Sequence, residues 1–197
     1  MLKTTKFQRK SYKQSFYILI NDFITLLSYI EACDNNLGTY SHRLYELFLR
    51  ASTEFESICK DLLIMSNYPE RTFEDWNITD YHTLSSPRGL SRYTLMFDTW
   101  NPTSKIIVPL KEWSNVEYKP LSWYQDYNEV KHNRNMNFEL ASFNNTILAI
   151  GSVFVILYSE LNEDIFSQFQ ENTAYNTDSE AFKYSLTGNI PFSIKKL

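Results

Sequence analysis

Glycine is scarce in this chain. Its 197 residues include 4 glycines. A turn-dense β-sandwich needs many residues with positive φ, so this shortage points to long helices. Cysteine is equally sparse. Cys33 and Cys59 have no C-x-x-C spacing and no neighbouring histidine, which excludes a disulfide framework and a cysteine-based zinc knuckle. Both thiols are expected to be reduced and packed in or near a core. With no ligand cluster in the sequence, neither a metal nor a cofactor is expected. Positive charge is also lacking: 19 Lys and Arg against 23 Asp and Glu leave a net charge of −4. A global field for coating DNA is therefore excluded, and any nucleic-acid contact needs a local patch.

Several motifs are missing as well. There is no GxxxxGK[ST] or GxGxxG, so phosphate-loop nucleotide binding has no support. There is no HExxH and no GxSxG. The longest apolar run, ILAIGSVFVILY over 147–158, is shorter than the roughly 18 residues of a membrane span and reads as a helix buried on most sides. The early FYILI run is cut by Asn21 and Asp22 before it reaches signal-peptide length. The expectation is a cytoplasmic protein with no membrane contact.

Aromatic residues are abundant, at 16% with 14 Tyr and 14 Phe. Such a core is built from large side chains, with many tyrosines half-buried and their hydroxyls reaching water. The length fits one domain. The expected fold is mainly α: a single helical bundle over 1–197, with a proline-broken β-hairpin insertion at about 69–120. The first helix is predicted over about 12–31, from the spacing of Phe16, Leu19, Ile20, Phe23, Leu26, Leu27 and Ile30. Ser41 is a good N-cap for a second helix reaching about Met65. NITDYHTL (77–84) reads as a short helical piece. RYTLMFDTW and KIIVPLKEW flank the turn NPTS and read as a hairpin, with Pro109 placing the second strand at an edge or ending it early. Ser122 is expected to cap a helix carrying WYQDYNEVKH. A last helix is predicted over about 138–161. The tail, with FKYSL and PFSI, reads as an extended strap, placed on this chain or a partner subunit. Lys3, Lys6, Arg9, Lys10 and Lys13 form a basic cluster, read as a solvated, frayed N-terminus.

The densest polar chemistry is YNEVKHNR, residues 127–134. On a helix, Asn128 and His132 stack one turn apart, so Asn128 can orient the imidazole. Arg134 lies just past the helix end. A histidine moves protons near neutral pH, and an arginine beside it holds a phosphate or stabilises developing charge. Asn128, Lys131, His132 and Arg134 are the candidate catalytic group for metal-independent RNA cleavage, in which the 2′-hydroxyl is the nucleophile. Tyr127 and Glu54 stand behind it as support. Glu54 lies in line with Leu47, Ala51 and Ile58 and needs a cation, such as Arg50 or a basic residue from another helix. The structural alternative is that the basic residues bond free carbonyls at the helix end and that Arg134 pairs with Glu54. His42 and His82 stand isolated and receive no role.

TYSHRLYELFLRASTEFESICK (39–60), WYQDYNEVKHNR (123–134) and FELASFNNTILAIGSVFVIL (138–157) together cover most of the chain's organisation. In these segments it resembles a largely uncharacterised family of bacterial proteins with a W-x(3)-YNxVKHxR motif, distantly similar to HEPN domains. That resemblance implies a helical, usually homodimeric protein of a bacterial defence or toxin-type system, acting as an endoribonuclease or RNA binder. It equally implies, as the alternative, a non-catalytic interaction module. In catalytic HEPN domains an arginine precedes the histidine by about five residues. Here Asp126, Tyr127 and Asn128 occupy those positions, and the arginine follows His132 instead.

Overall fold

A computed structural model of the chain describes residues 9–68, 72–115, 117–166 and 190–196. Lys3, Lys6, Pro69 and the FKYSL segment lie outside the described residues. The fold is mainly helical with a small antiparallel sheet.

Helix α1 (Arg9–Leu27) buries Phe16, Leu19, Ile20 and Phe23, the stripe set by their three- and four-residue spacing. It starts and ends a few residues earlier than the spacing predicts. Helix α2 (His42–Met65) starts where expected: the Ser41 side chain accepts from the Leu44 N–H at 3.1 Å. Helix α7 (Phe143–Leu161) is buried along almost its whole length. Its N-cap is Ser142, and Phe138–Leu140 form a separate 3₁₀ turn, so it begins later than predicted. By length and composition alone the stretch Phe143–Phe166 is long and apolar enough to cross a membrane, and in this fold most of its apolar part is buried. α2 packs along α7, and both α1 and α5 (Ser122–His132) pack on that pair.

The middle of the chain follows the expected pattern. α3 (Ile78–His82) opens on a capping box formed by Asn77 and Asp80. The short α4 (Ser85–Arg88) ends at Gly89, whose φ of +62° is left-handed. β1 (Tyr93–Phe97) and β2 (Lys105–Ile107) form the hairpin, in a register that pairs Leu95 with Ile107 and Phe97 with Lys105. β2 is an edge strand that stops before Pro109. β1 buries Tyr93, Leu95 and Phe97 on one face.

The tail adds a third strand. β3 (Phe192–Lys196) pairs antiparallel with β1 of the same chain, from Tyr93–Lys196 to Phe97–Phe192. The extended conformation expected of PFSI is observed from Phe192 onward, and it is a sheet strand on this chain. Its driving force is Phe192, 1% exposed, whose ring lies 4.8 Å from Phe97 and 5.8 Å from Phe23. The sheet sits close on α7. A Cβ on Gly151 would come within 2.8 Å of the Pro109 ring and 2.9 Å of Leu95. Only glycine allows that approach.

Candidate functional site

α5 carries the first part of the 127–134 motif. Ser122 is its first residue and does not cap it with a side chain. Trp123, Tyr127 and Val130 are at most 1% exposed and anchor the helix in the core. Tyr124 donates to Glu56 Oε1 at 2.6 Å. Burial, reinforced by that bond and the Glu56 charge, pushes the Tyr124 phenol far above its usual range. Lys131 lies 5.0 Å from the centre of the Tyr127 ring. Burial alone would lower the Lys131 ammonium, but the Tyr127 hydroxyl and the Glu56 charge outweigh it and raise it. Tyr124, bonded to Glu56, and Tyr127 are thus on the inner side of the helix, and the exposed Lys131 lies over the Tyr127 ring.

The helix breaks at Asn133, whose φ of −143° and ψ of 67° are not helical. Arg134 then opens the single-turn helix α6 (Arg134–Asn137). The break turns Arg134 away from Glu54 and toward the start of α2. Its Nη2 lies 2.8 Å from His42 Nδ1. The guanidinium sits 4.5 Å from the Tyr45 ring centre and 5.2 Å from that of Phe138. The His42 ring itself lies 4.9 Å from Phe138, and exposed Tyr40 packs on the same ring at 5.7 Å. A guanidinium can only donate, so His42 Nδ1 accepts and the neutral ring carries its proton on Nε2.

The other expected residues fall apart from this group. His132 and Arg134 are both exposed. Asn128 is half-buried, and among the described residues it makes no hydrogen bond to His132, so the expected orienting contact is not formed. Glu54 does not meet Arg134, so that structural alternative is not realised. Burial raises its carboxyl, while a Ser15 hydrogen bond and the Arg50 charge partly oppose the rise. Arg50 makes its ion pair with Asp22 across α1, at 2.5 Å. Among the described residues, no group of three His, Cys, Asp or Glu could hold a metal ion. Cys33 and Cys59 are free thiols.

Three residues of the observed cluster carried no sequence signal: His42, Tyr45 and Phe138. His42 and Tyr45 share the first turn of α2 at i,i+3. Nothing in the sequence shows that Arg134, 92 positions away, closes on them.

No family model, no curated protein and no solved structure matches the chain.

Proposed function

We propose that this chain is an RNA-directed protein and that the α5–α6 junction, with the first turn of α2, is its RNA-contacting surface. One observation carries the reading. The exposed Arg134 guanidinium is held on the Tyr45 and Phe138 rings, beside His42. A guanidinium oriented in this way retains N–H donors for a phosphate and a face for an unstacked base. Exposed Lys131 precedes it on the same stretch, which adds a second local positive charge on an acidic protein.

Within this reading the chemistry is metal-independent RNA cleavage. The 2′-hydroxyl attacks the adjacent phosphorus and loses its proton to an imidazole; the P–O2′ bond forms, the P–O5′ bond breaks, and the departing 5′-oxygen takes a proton from solvent water. His132 is exposed, and its imidazole is the proton acceptor proposed here. Arg134 stabilises the phosphorane charge, and Tyr127 and Lys131 stiffen the helix behind it. Glu54 takes no part. A cytoplasmic homodimer in a bacterial defence or toxin-type system fits the resemblance to HEPN domains.

The second reading is a non-catalytic HEPN-like interaction module. It is favoured by the missing Asn128–His132 contact and by the Lys131–Tyr127–Glu56–Tyr124 group, which makes half of the motif structural. Measuring single-stranded RNA binding and cleavage for wild type, His132→Ala and Arg134→Ala separates the two. Cleavage lost in His132→Ala, with RNA still bound and melting unchanged, supports the enzyme. Binding without cleavage in the wild type leaves RNA recognition alone. Absence of binding overturns the RNA reading.

A further inference from the structure

A second concave surface lies on the other side of the first turns of α2. It is a cleft of about 640 Å³ between α1 and α2, well within the size range of small-molecule sites. Leu47, 3% exposed, lies in its floor, and the half-buried Leu26 and Ile30 line it as well. Tyr29, in the turn just after α1, is 83% exposed and lines the cleft. Most large rings of this protein pack on one another, but that of Tyr29 faces solvent beside an apolar floor.

The charged lining is balanced. Arg50 is paired with Asp22, and Arg43 with Glu46 at 2.8 Å. Each of these charges already has a counter-charge, so a ligand carrying net charge meets no unbalanced partner here. An uncharged ligand with both donors and acceptors can use the sites the pairs leave open. A guanidinium has five N–H donors and a carboxylate about four acceptor sites, and the Asp22–Arg50 bond uses one of each. That pair therefore presents donors beside acceptors along one edge. Base edges in nucleic acids carry this alternation, and their flat faces stack on tyrosine.

We infer that the α1–α2 cleft binds a flat, uncharged aromatic heterocycle with hydrogen-bonding edges, of the nucleobase type, stacked on Tyr29 and read by the Asp22–Arg50 pair. The base comes either from a free nucleoside or from a strand of RNA. The inference does not depend on the RNA reading of the Arg134 surface, which uses a different face of α2.

The test uses the full chain and backbone-amide NMR. The probes are adenosine and uridine, with benzoate and benzylamine as charged aromatic controls and a short single-stranded oligoribonucleotide as the other source. Nucleosides at millimolar concentration should shift Thr25, Tyr29 and Leu47, and the charged controls should bind more weakly. Tyr29→Ala changes an exposed side chain and should weaken binding at least about fivefold, the low end of base stacking. Thr25→Phe, also at an exposed position, should fill the cleft and abolish it. Nucleoside binding without RNA binding supports the cleft, assigns it to free ligands and removes the RNA reading. Weakened RNA binding in Tyr29→Ala, with or without measurable nucleoside binding, assigns it to an RNA base. The inference is overturned if nucleosides leave the cleft amides unmoved and Tyr29→Ala binds RNA like wild type. Tighter binding of either charged control also overturns it.

Discussion

Arg134 Nη2 lies 2.8 Å from Nδ1 of His42, a residue 92 positions earlier in the chain. The contact joins the end of the polar motif to the first turn of α2. It also divides that motif into an inner half that holds the helix and an outer half that meets solvent.

The outer half should be separable from stability. Arg134→Lys keeps the charge but loses the planar group on Tyr45 and Phe138. Fluorescence anisotropy should show single-stranded RNA affinity falling by about 1 kcal/mol, the low end of stacking energies. Urea unfolding should change by under about 0.5 kcal/mol, as at other exposed sites. A stability loss as large as the affinity loss would make Arg134 a structural residue.

The inner half should behave in the opposite way. Tyr124→Phe removes the hydroxyl that donates to Glu56 at 2.6 Å. A partly buried carboxylate then loses a charged hydrogen bond, at a cost of about 1.5–3 kcal/mol. Chemical denaturation measures this directly, and an unchanged unfolding midpoint would refute it.

Two glycines should respond differently to alanine. At Gly151 a methyl group meets the Pro109 ring at 2.8 Å and Leu95 at 2.9 Å. A proline ring has little freedom to move aside, so overpacking of about 1–3 kcal/mol should exceed the helix-propensity gain of about 1 kcal/mol. Gly38 has nothing within 4 Å of such a methyl group. Gly38→Ala should be neutral or slightly stabilising in a thermal melt.

Phe192→Ala tests the third strand. The buried ring packs on both Phe23 and Phe97, and its loss should cost about 3–5 kcal/mol. If the melting temperature is unchanged, β3 does not occupy that position in solution.

Glu54 gives a pH signature. Its folded carboxyl is raised above the ordinary 4.5, first by burial, with Ser15 and Arg50 opposing. The folded state then binds the proton more tightly than the unfolded chain. The resulting stability is fully present below 4.5 and is lost as pH rises through the folded value. Glu54→Gln should therefore melt higher than wild type at neutral pH, and the difference should shrink in acid. A pH-independent difference would show that Glu54 does not titrate in this way.

Much of the fold was legible because its causes are local. The α1 and α2 stripes, the Ser41 cap, the Asn77-headed helix and the hairpin limited by Pro109 each follow from a few neighbouring residues. Boundaries moved where the chain had a competing local choice, as at Ser142, which caps α7 and leaves Phe138 in a separate turn. The third strand was missed because the sequence of PFSI does not show which surface receives it. That surface includes the touching rings of Phe23 and Phe97, which come from distant segments.

For the candidate site, the chemistry on offer was legible in the residues: one imidazole and one guanidinium around a helix break, on an acidic, aromatic-rich chain. Tertiary structure alone decided who meets whom. The direction of the chain after Asn133 depends on the packing of α5 against α2 and α7. That packing sends Arg134 to His42, Tyr45 and Phe138, and leaves Glu54 beside Ser15 and Arg50.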